Sequence, residues 1–135
     1  MRRLFAVLVL IPLLLSALPA CGKKRVELLS ERAEAFSRSL RWGSLTAAGV
    51  LIADDRRRSL VGQLANELAR ARVVDYSIVD LNMDPKEEQG TVVVEYSYYT
   101  ITDQELLSRQ EIESWKFSKG SWFLTDIKPV PMPSR

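Results

Sequence analysis

The 135-residue chain contains no histidine and a single cysteine, Cys21, and these two shortages exclude several kinds of site. Without histidine, a Ser-His-Asp or Cys-His nucleophile arrangement cannot be built, and most zinc sites lose one of their usual ligands. One cysteine cannot close an intrachain disulfide. We therefore predict no metal site, no cofactor and no catalytic constellation.

An excess of charge of either sign is also missing from most of the chain. The formal net charge is +2, and the surplus comes from Arg2 and Arg3. After residue 20 the chain carries 17 basic and 17 acidic side chains. Because a nucleic-acid-binding surface needs a dense basic field, we predict that nucleic acid is not a partner.

One long uncharged segment stands at the N-terminus. No charged residue occurs from Leu4 to Leu18, Arg2 and Arg3 precede this run, and the small Ala20 follows it. A positive start, an apolar run and a small residue are typical of a secretory signal peptide. The run is shorter than the roughly 20 residues that cross a bilayer and contains Pro12, which argues against an uncleaved anchor.

The sequence Leu18-Pro19-Ala20-Cys21 resembles the lipobox of bacterial lipoproteins. The resemblance implies cleavage between Ala20 and Cys21, diacylglycerol on the Cys21 thiol and a fatty acid such as palmitate on the new amine. Lipoproteins retained at the inner membrane usually carry aspartate after this cysteine. Gly22 stands there instead, which favours the periplasmic side of an outer membrane in an organism that has one. Plain secretion and an uncleaved anchor stay open as alternatives.

Hydrophobic periodicity divides the rest of the chain into helices followed by strands. Apolar residues at helical spacing predict a first helix from Val26, a short helix capped by Ser44 and a third helix opened by Asp54. After Arg72 the period changes to two, which predicts four strands, over residues 73–83, 91–102, 107–117 and 122–130. The predicted organisation is a signal peptide (1–20), a lipidated tether (21–25), one domain (26–130) and a proline-rich tail (131–135).

The last two strands allow a specific register to be predicted. A four-residue turn after Phe117 places Phe117 opposite Trp122 and Trp115 opposite Leu124, and paired aromatics stabilise such a hairpin. The same register places Glu113 opposite Asp126, where the two carboxyls would face solvent or share a proton. We expect the core to form where this hairpin meets the helices, through Trp115, Phe117, Trp122, Leu124, Phe36, Leu40, Leu60, Leu64 and Leu68.

Three helices followed by four antiparallel strands are typical of an α+β fold. The order resembles the NTF2-like superfamily, in which helices pack into a curved sheet to form a cone, with a cystatin-like arrangement as the rival. The residues that carry the resemblance are Phe36–Leu40, the Leu60/Leu64/Leu68 helix, residues 74–78 and the 113–124 hairpin. Relatives of this fold often associate sheet to sheet, so a homodimer is one expectation.

The superfamily includes both enzymes and non-catalytic binding modules, so the fold does not assign chemistry. Our first hypothesis is a lipid-anchored envelope protein that binds a partner protein or a small apolar ligand, with Tyr96, Tyr98 and Trp115 as candidate ligand-binding residues. The alternatives are a structural subunit of an envelope complex, and an isomerase- or hydrolase-type enzyme. The enzyme would need a buried carboxylate beside a tyrosine, with candidates Asp75, Asp80, Glu95 and Glu111 and Tyr76, Tyr96, Tyr98 and Tyr99.

The lipobox resemblance makes a direct prediction about the mature protein. We expect it to begin at Cys21 and to carry a diacylglyceryl thioether and an acylated amine, and we expect Cys21→Ser to abolish both modifications. Mass spectrometry of the N-terminal peptide measures the result. An unmodified terminus at another residue, or retention of residues 1–20, would contradict the prediction.

Overall fold

The computed structural model describes residues 23–131, and Cys21 with the predicted signal peptide lies outside this range. Three helices precede four strands in the chain. Their bounds are α1 (Arg25–Arg41), α2 (Leu45–Val50), α3 (Asp54–Leu68), β1 (Ala71–Met83), β2 (Gln89–Thr100), β3 (Leu106–Ser118) and β4 (Ser121–Pro129). The predicted α+β order is confirmed. Among the described residues, no helix is both long and apolar enough to cross a membrane.

The first helix ends before Gly43. Gly43 has φ of 66°, a left-handed conformation that a residue without Cβ adopts at little cost, and it follows the last turn of α1. Ser44 then caps α2, since its Oγ accepts a hydrogen bond from the backbone N–H of Ala47 at 3.3 Å. The two helices therefore meet at a tight corner and are in contact with each other.

The four strands form one antiparallel sheet in the order β1-β2-β3-β4. One face of the sheet packs against the helices, so buried residues alternate along β2 at Val92, Val94 and Tyr96. Gly90 continues this inward series, and a Cβ there would lie 2.6 Å from Cδ2 of Leu29. The glycine lets the first turns of α1 approach the sheet closely.

The core lies where the hairpin of β3 and β4 meets α1 and α3, as predicted. Trp122 and Leu124 are fully buried and Trp115 is 1% exposed. The ring of Trp115 meets the edge of Phe36 on α1 at a centroid distance of 6.2 Å. The remaining predicted core residues are either buried (Leu40, Leu60, Leu64) or half-buried against the cluster (Leu68, Phe117).

The predicted register holds at the turn and fails beyond it. Phe117 pairs with Trp122 and Trp115 with Leu124, but Ser114 pairs with Asp126 because Thr125 is an extra residue in β4. This β-bulge is held by the Thr125 hydroxyl, which donates to the carbonyl oxygen of Ser114 at 3.0 Å. The expected pairing of Glu113 with Asp126 is therefore wrong, and Glu113 lies opposite Ile127.

The position of Trp122 predicts a large loss of stability on truncation. Trp122→Ala should cost about 3–5 kcal/mol, because a fully buried aromatic leaves a cavity that the core cannot refill. The exposed Trp42 is the matched control, with 75% of its surface accessible, and Trp42→Ala should change the free energy of unfolding by less than about 0.5 kcal/mol. Urea denaturation measures both; equal midpoints for the two variants would contradict the core described here.

Candidate functional site

Glu113 is a carboxyl group placed in the middle of the core. It lies on the inward face of β3, two residues before Trp115, and none of its surface is accessible to solvent. A buried carboxyl needs hydrogen-bond partners, because taking it out of water without them is costly. The packing around Glu113 supplies such partners from two sides.

Each carboxyl oxygen of Glu113 has a hydrogen-bond partner. The Tyr96 hydroxyl lies 3.1 Å from Oε2, and Nε1 of Trp115 donates to Oε1 at 3.2 Å. The Tyr96 oxygen also lies 3.0 Å from Oγ of Ser37, which is fully buried on α1. A polar chain of Ser37, Tyr96 and Glu113 therefore crosses the apolar core and links the helical layer to the sheet.

Burial raises the pKa of Glu113 to about 8, against the lowering effect of its hydrogen bonds from Trp115 and Tyr96. The carboxyl is therefore mainly protonated at neutral pH. In that form Glu113 can donate to Tyr96 and Tyr96 to Ser37, whereas the ionised form reverses the direction of the chain. Burial likewise raises the pKa of Tyr96 well above its ordinary value.

A second, more exposed polar group lies at the open edge of the same face. Glu111 is 6% exposed, and burial raises its pKa while the charge of Arg109 opposes the shift. Nη2 of Arg109 lies 2.8 Å from Glu111 and 3.1 Å from Glu67 on α3. The Arg109 guanidinium also covers the ring of Tyr98 at 5.2 Å. Arg109 thus joins α3 to β3 across the gap between helices and sheet.

The cavity in this gap is small. Its volume is about 30 Å³, and its lining includes Tyr96, Tyr98 and Glu111 together with the leucines of α1 and α3. That volume holds one or two water molecules, whereas sites for small organic ligands usually measure about 300–1,000 Å³. Trp115, Phe36 and Leu40 fill the space that a wider cone would leave open.

The structure sorts the sequence-predicted residues by their surroundings. Tyr96 and Tyr98 line the small cavity, while Trp115 is packed in the core behind them. Among the candidate carboxylates only Glu111 is buried; Asp75 and Asp80 are exposed and bond to neighbouring backbone N–H groups. Ligand binding by Tyr96, Tyr98 and Trp115 stays a prediction.

Sequence reasoning missed Glu113 as the buried carboxylate, although a signal was present. Glu111, Glu113 and Trp115 alternate along one strand, so all three side chains share a face. The predicted hairpin register already placed Trp115 on the same face as Phe117 and Trp122, which identifies that face as the inner one. Within residues 23–131 there is no cluster of acidic side chains suited to a metal ion.

A much larger concavity lies on the outside of the helical layer, between α2 and α3. This open groove has a volume of about 1,000 Å³ and a mainly apolar lining, and we call it the α2–α3 groove. The residues that line it are Leu45, Thr46, Gly49, Val50, Asp54, Arg57, Arg58, Val61 and Gly62. Val50 is 63% exposed there, which is unusual for an aliphatic side chain on a helix packed against its neighbours.

The walls of the α2–α3 groove are fixed to each other by Arg57. Its Nε donates to the Gly49 carbonyl at 2.8 Å and Nη2 to the Ile52 carbonyl at 3.1 Å, so α3 satisfies backbone groups at the end of α2. Arg57 also pairs with Asp54 at 2.8 Å. The groove is therefore a preformed feature of the surface.

The chain matches no protein-family model and no curated protein sequence. Its fold is nevertheless shared with solved structures. A ketosteroid isomerase-like protein from Erwinia carotovora atroseptica matches with a TM-score of 0.65 and 11% identity, over 82% of this chain and all of the other. Such low identity shows the fold alone.

Two further structures share the fold, one of them described as NTF2-like, and they differ in their described roles. A candidate dehydratase of the NTF2-like family from Streptomyces avermitilis has a TM-score of 0.60 at 12% identity, over 79% of this chain and 96% of the other. A candidate calcium/calmodulin-dependent protein kinase II association domain from Xanthomonas campestris has a TM-score of 0.59 at 13% identity, over 89% of this chain and 95% of the other. The fold therefore hosts both enzyme-like and association domains.

The raised pKa of Glu113 predicts a pH dependence of stability. The folded state keeps the proton up to about pH 8, whereas the unfolded chain releases it near the ordinary value of 4.5, so stability should fall as pH rises between these values. One such group contributes a slope of at most about 1.4 kcal/mol per pH unit. The absence of histidine removes the usual source of titration in this range.

Glu113→Gln should flatten that slope, because the amide keeps hydrogen bonds to Tyr96 and Trp115 but does not titrate. Glu111→Gln, at the cavity edge, should reduce the slope of stability against pH by a smaller amount than Glu113→Gln does. Urea midpoints measured across this pH range test both variants. An unchanged slope in Glu113→Gln would show that Glu113 is ionised in the folded protein at neutral pH.

Proposed function

We propose that this protein is a lipid-anchored envelope protein whose NTF2-like domain is non-catalytic and binds an apolar segment of a partner protein in the α2–α3 groove. The observation that carries the proposal is the contrast between two concavities. The cone interior, where an enzyme of this shape would hold its substrate, has a volume of about 30 Å³, whereas the outer groove has about 1,000 Å³.

The chemistry of the groove supports a protein partner. Its lining combines Gly49 and Gly62, which have no side chain, with the aliphatic side chains of Val50 and Val61. A preformed apolar groove between two helices accepts the apolar face of a helix or an extended segment. Arg58 on the rim is exposed and offers a positive charge to an acidic residue of the partner.

The anchor and the location are supported by the sequence alone. The lipobox-like residues 18–21 lie outside the described part of the chain, and the proposed lipid on Cys21 follows from their resemblance. Two or more acyl chains hold a protein stably at a bilayer, which a single chain does not. Gly22 after the cysteine supports the periplasmic face of an outer membrane.

An enzyme of the isomerase type is the second candidate, and one observation favours it. Glu111 and Tyr96 line the same small cavity, so a carboxyl group and a tyrosine border a common space. Movement of Arg109 would be needed to admit a substrate, because its guanidinium joins Glu111 to Glu67 across that space. Isomerisation of a 3-oxo-Δ5-steroid that is lost in Glu111→Gln would overturn the non-catalytic proposal.

A photo-crosslinking amino acid at Val50 tests the groove directly in cells. We expect irradiation to produce a discrete adduct with another envelope protein, because Val50 projects from the wall of the groove. The matched control is the same amino acid at Val79, a valine of β1 that is 52% exposed on the opposite layer. Mass spectrometry of the adduct identifies the partner.

The control at Val79 distinguishes an interface on the sheet from one in the groove. An adduct from Val79 and none from Val50 would place the interface on the sheet, as in a sheet-to-sheet homodimer, and would overturn the groove as the binding site. The absence of adducts at both positions, with normal amounts of protein in the membrane fraction, would overturn partner binding through either surface.

A further inference from the structure

One end of the domain gathers segments that are distant in sequence. We call it the basic end and define it by residues 23–25, the β1–β2 loop (84–88) and the β3–β4 turn with its approach (116–120). These segments contain six basic side chains and three acidic ones, and one of the six, Lys23, pairs with Glu31 of α1. The basic residues are Lys23, Lys24, Arg25, Lys86, Lys116 and Lys119, and all but Arg25 are exposed.

Arg25 binds the three segments together. Its Nη1 donates to the carbonyl oxygen of Glu87 at 2.9 Å, and its guanidinium covers the ring of Phe117 at 4.1 Å. The indole Nε1 of Trp122 donates to the Arg25 carbonyl at 2.9 Å. The first turn of α1 is therefore fixed to the loop and to the hairpin, and the rigid body of the domain begins at this residue.

The anchor point lies next to this fixed turn. Only Gly22 separates Cys21 from Lys23, and two residue steps span at most about 7 Å of fully extended chain. The backbone N–H of Leu28 already bonds to the Lys24 carbonyl at 3.1 Å, so the helical hydrogen bonds start immediately. A lipid on Cys21 would therefore hold the basic end close to the bilayer surface.

The opposite end of the domain lies far from the basic end, because α1 and β2 both run away from it. Leu29 packs over Gly90 and Ser37 bonds to Tyr96, so α1 runs along β2 away from the basic end. Helix α1 is about 25 Å long, and the twelve residues of β2 extend up to about 40 Å. The β2–β3 connection at that far end carries the exposed acids Asp103 and Glu105.

We propose that the basic end rests on the surface of the bilayer that holds Cys21, so that the domain stands on the membrane with its β2–β3 connection directed away. The short link from Cys21 to Lys23 keeps the basic end close to the bilayer surface. The surplus of cations on that end favours contact with anionic headgroups. The far end lies beyond the reach of the surface potential, whose Debye length is about 8 Å at physiological salt. This inference rests on the lipid anchor of the proposed function.

The experiment uses the full chain, processed and lipidated in cells and reconstituted in phosphatidylcholine–phosphatidylglycerol vesicles that contain a headgroup-nitroxide lipid. Fluorophores are placed at Lys119→Cys or Lys86→Cys on the basic end and at Asp103→Cys on the far end. Cys21 is blocked by its lipid and does not react. We expect several-fold stronger quenching at positions 119 and 86 than at position 103.

A matched variant tests the role of the short link. Insertion of a flexible Gly/Ser segment of roughly twelve residues between Gly22 and Lys23 should reduce quenching at 119 toward the value at 103. Equal quenching at both ends of the original lipidated protein would overturn the orientation, and quenching at 119 that the insertion leaves unchanged would overturn the short link as its cause. If mass spectrometry finds no lipid on Cys21, the proposed anchor fails as well, so the two failures are distinguishable.

Discussion

The hydroxyl group of Tyr96 occupies the point where the two layers of this protein meet. On one side it contacts the Ser37 hydroxyl of α1, and on the other it contacts the carboxyl of Glu113 in β3. All three residues are almost completely buried, so water cannot replace any partner that is lost. The helical layer must therefore sit in one position over the sheet to satisfy this chain, and apolar packing alone would not impose that requirement.

The same arrangement explains why the cone is closed. A buried carboxyl that stays protonated can be surrounded by aromatic rings, and Trp115 and Phe36 close over it. The space left between α3 and the sheet is narrowed further by Arg109, which holds Glu67 and Glu111 together. Because the interior is filled, the surfaces open to a partner are those outside the cone, above all the groove between α2 and α3.

Local sequence patterns predict the elements well, because their causes are local. The leucine stripes give α1 and α3, Gly43 and Ser44 give the corner between α1 and α2, and the aromatic pairs give the register beside the last turn. The burial of Glu113 depends on contacts that no local pattern contains. The bulge at Thr125 removes Asp126 from the inner face, and α1 brings Ser37 over Tyr96 from 59 residues away.

The α2–α3 groove also could not be predicted from sequence patterns. Val50 and Val61 lie on different helices, and their shared surface exists only because Arg57 joins α3 to the end of α2. Val50 in a short helix is indistinguishable, by spacing, from a core residue. Its exposure is a property of the packed helices, as is the contrast between the filled interior and the open exterior on which the functional proposal depends.

A double-mutant cycle on Tyr96 and Glu113 tests the central role of this polar chain most directly. Tyr96→Phe and Glu113→Leu each remove one partner, and the double variant removes the interaction as a whole. Free energies of unfolding at neutral pH should give a coupling energy of at least about 1 kcal/mol, because each single change leaves a buried polar group without its partner. Losses that add to within about 0.5 kcal/mol would contradict the account, since they would mean that the two side chains stabilise the core independently.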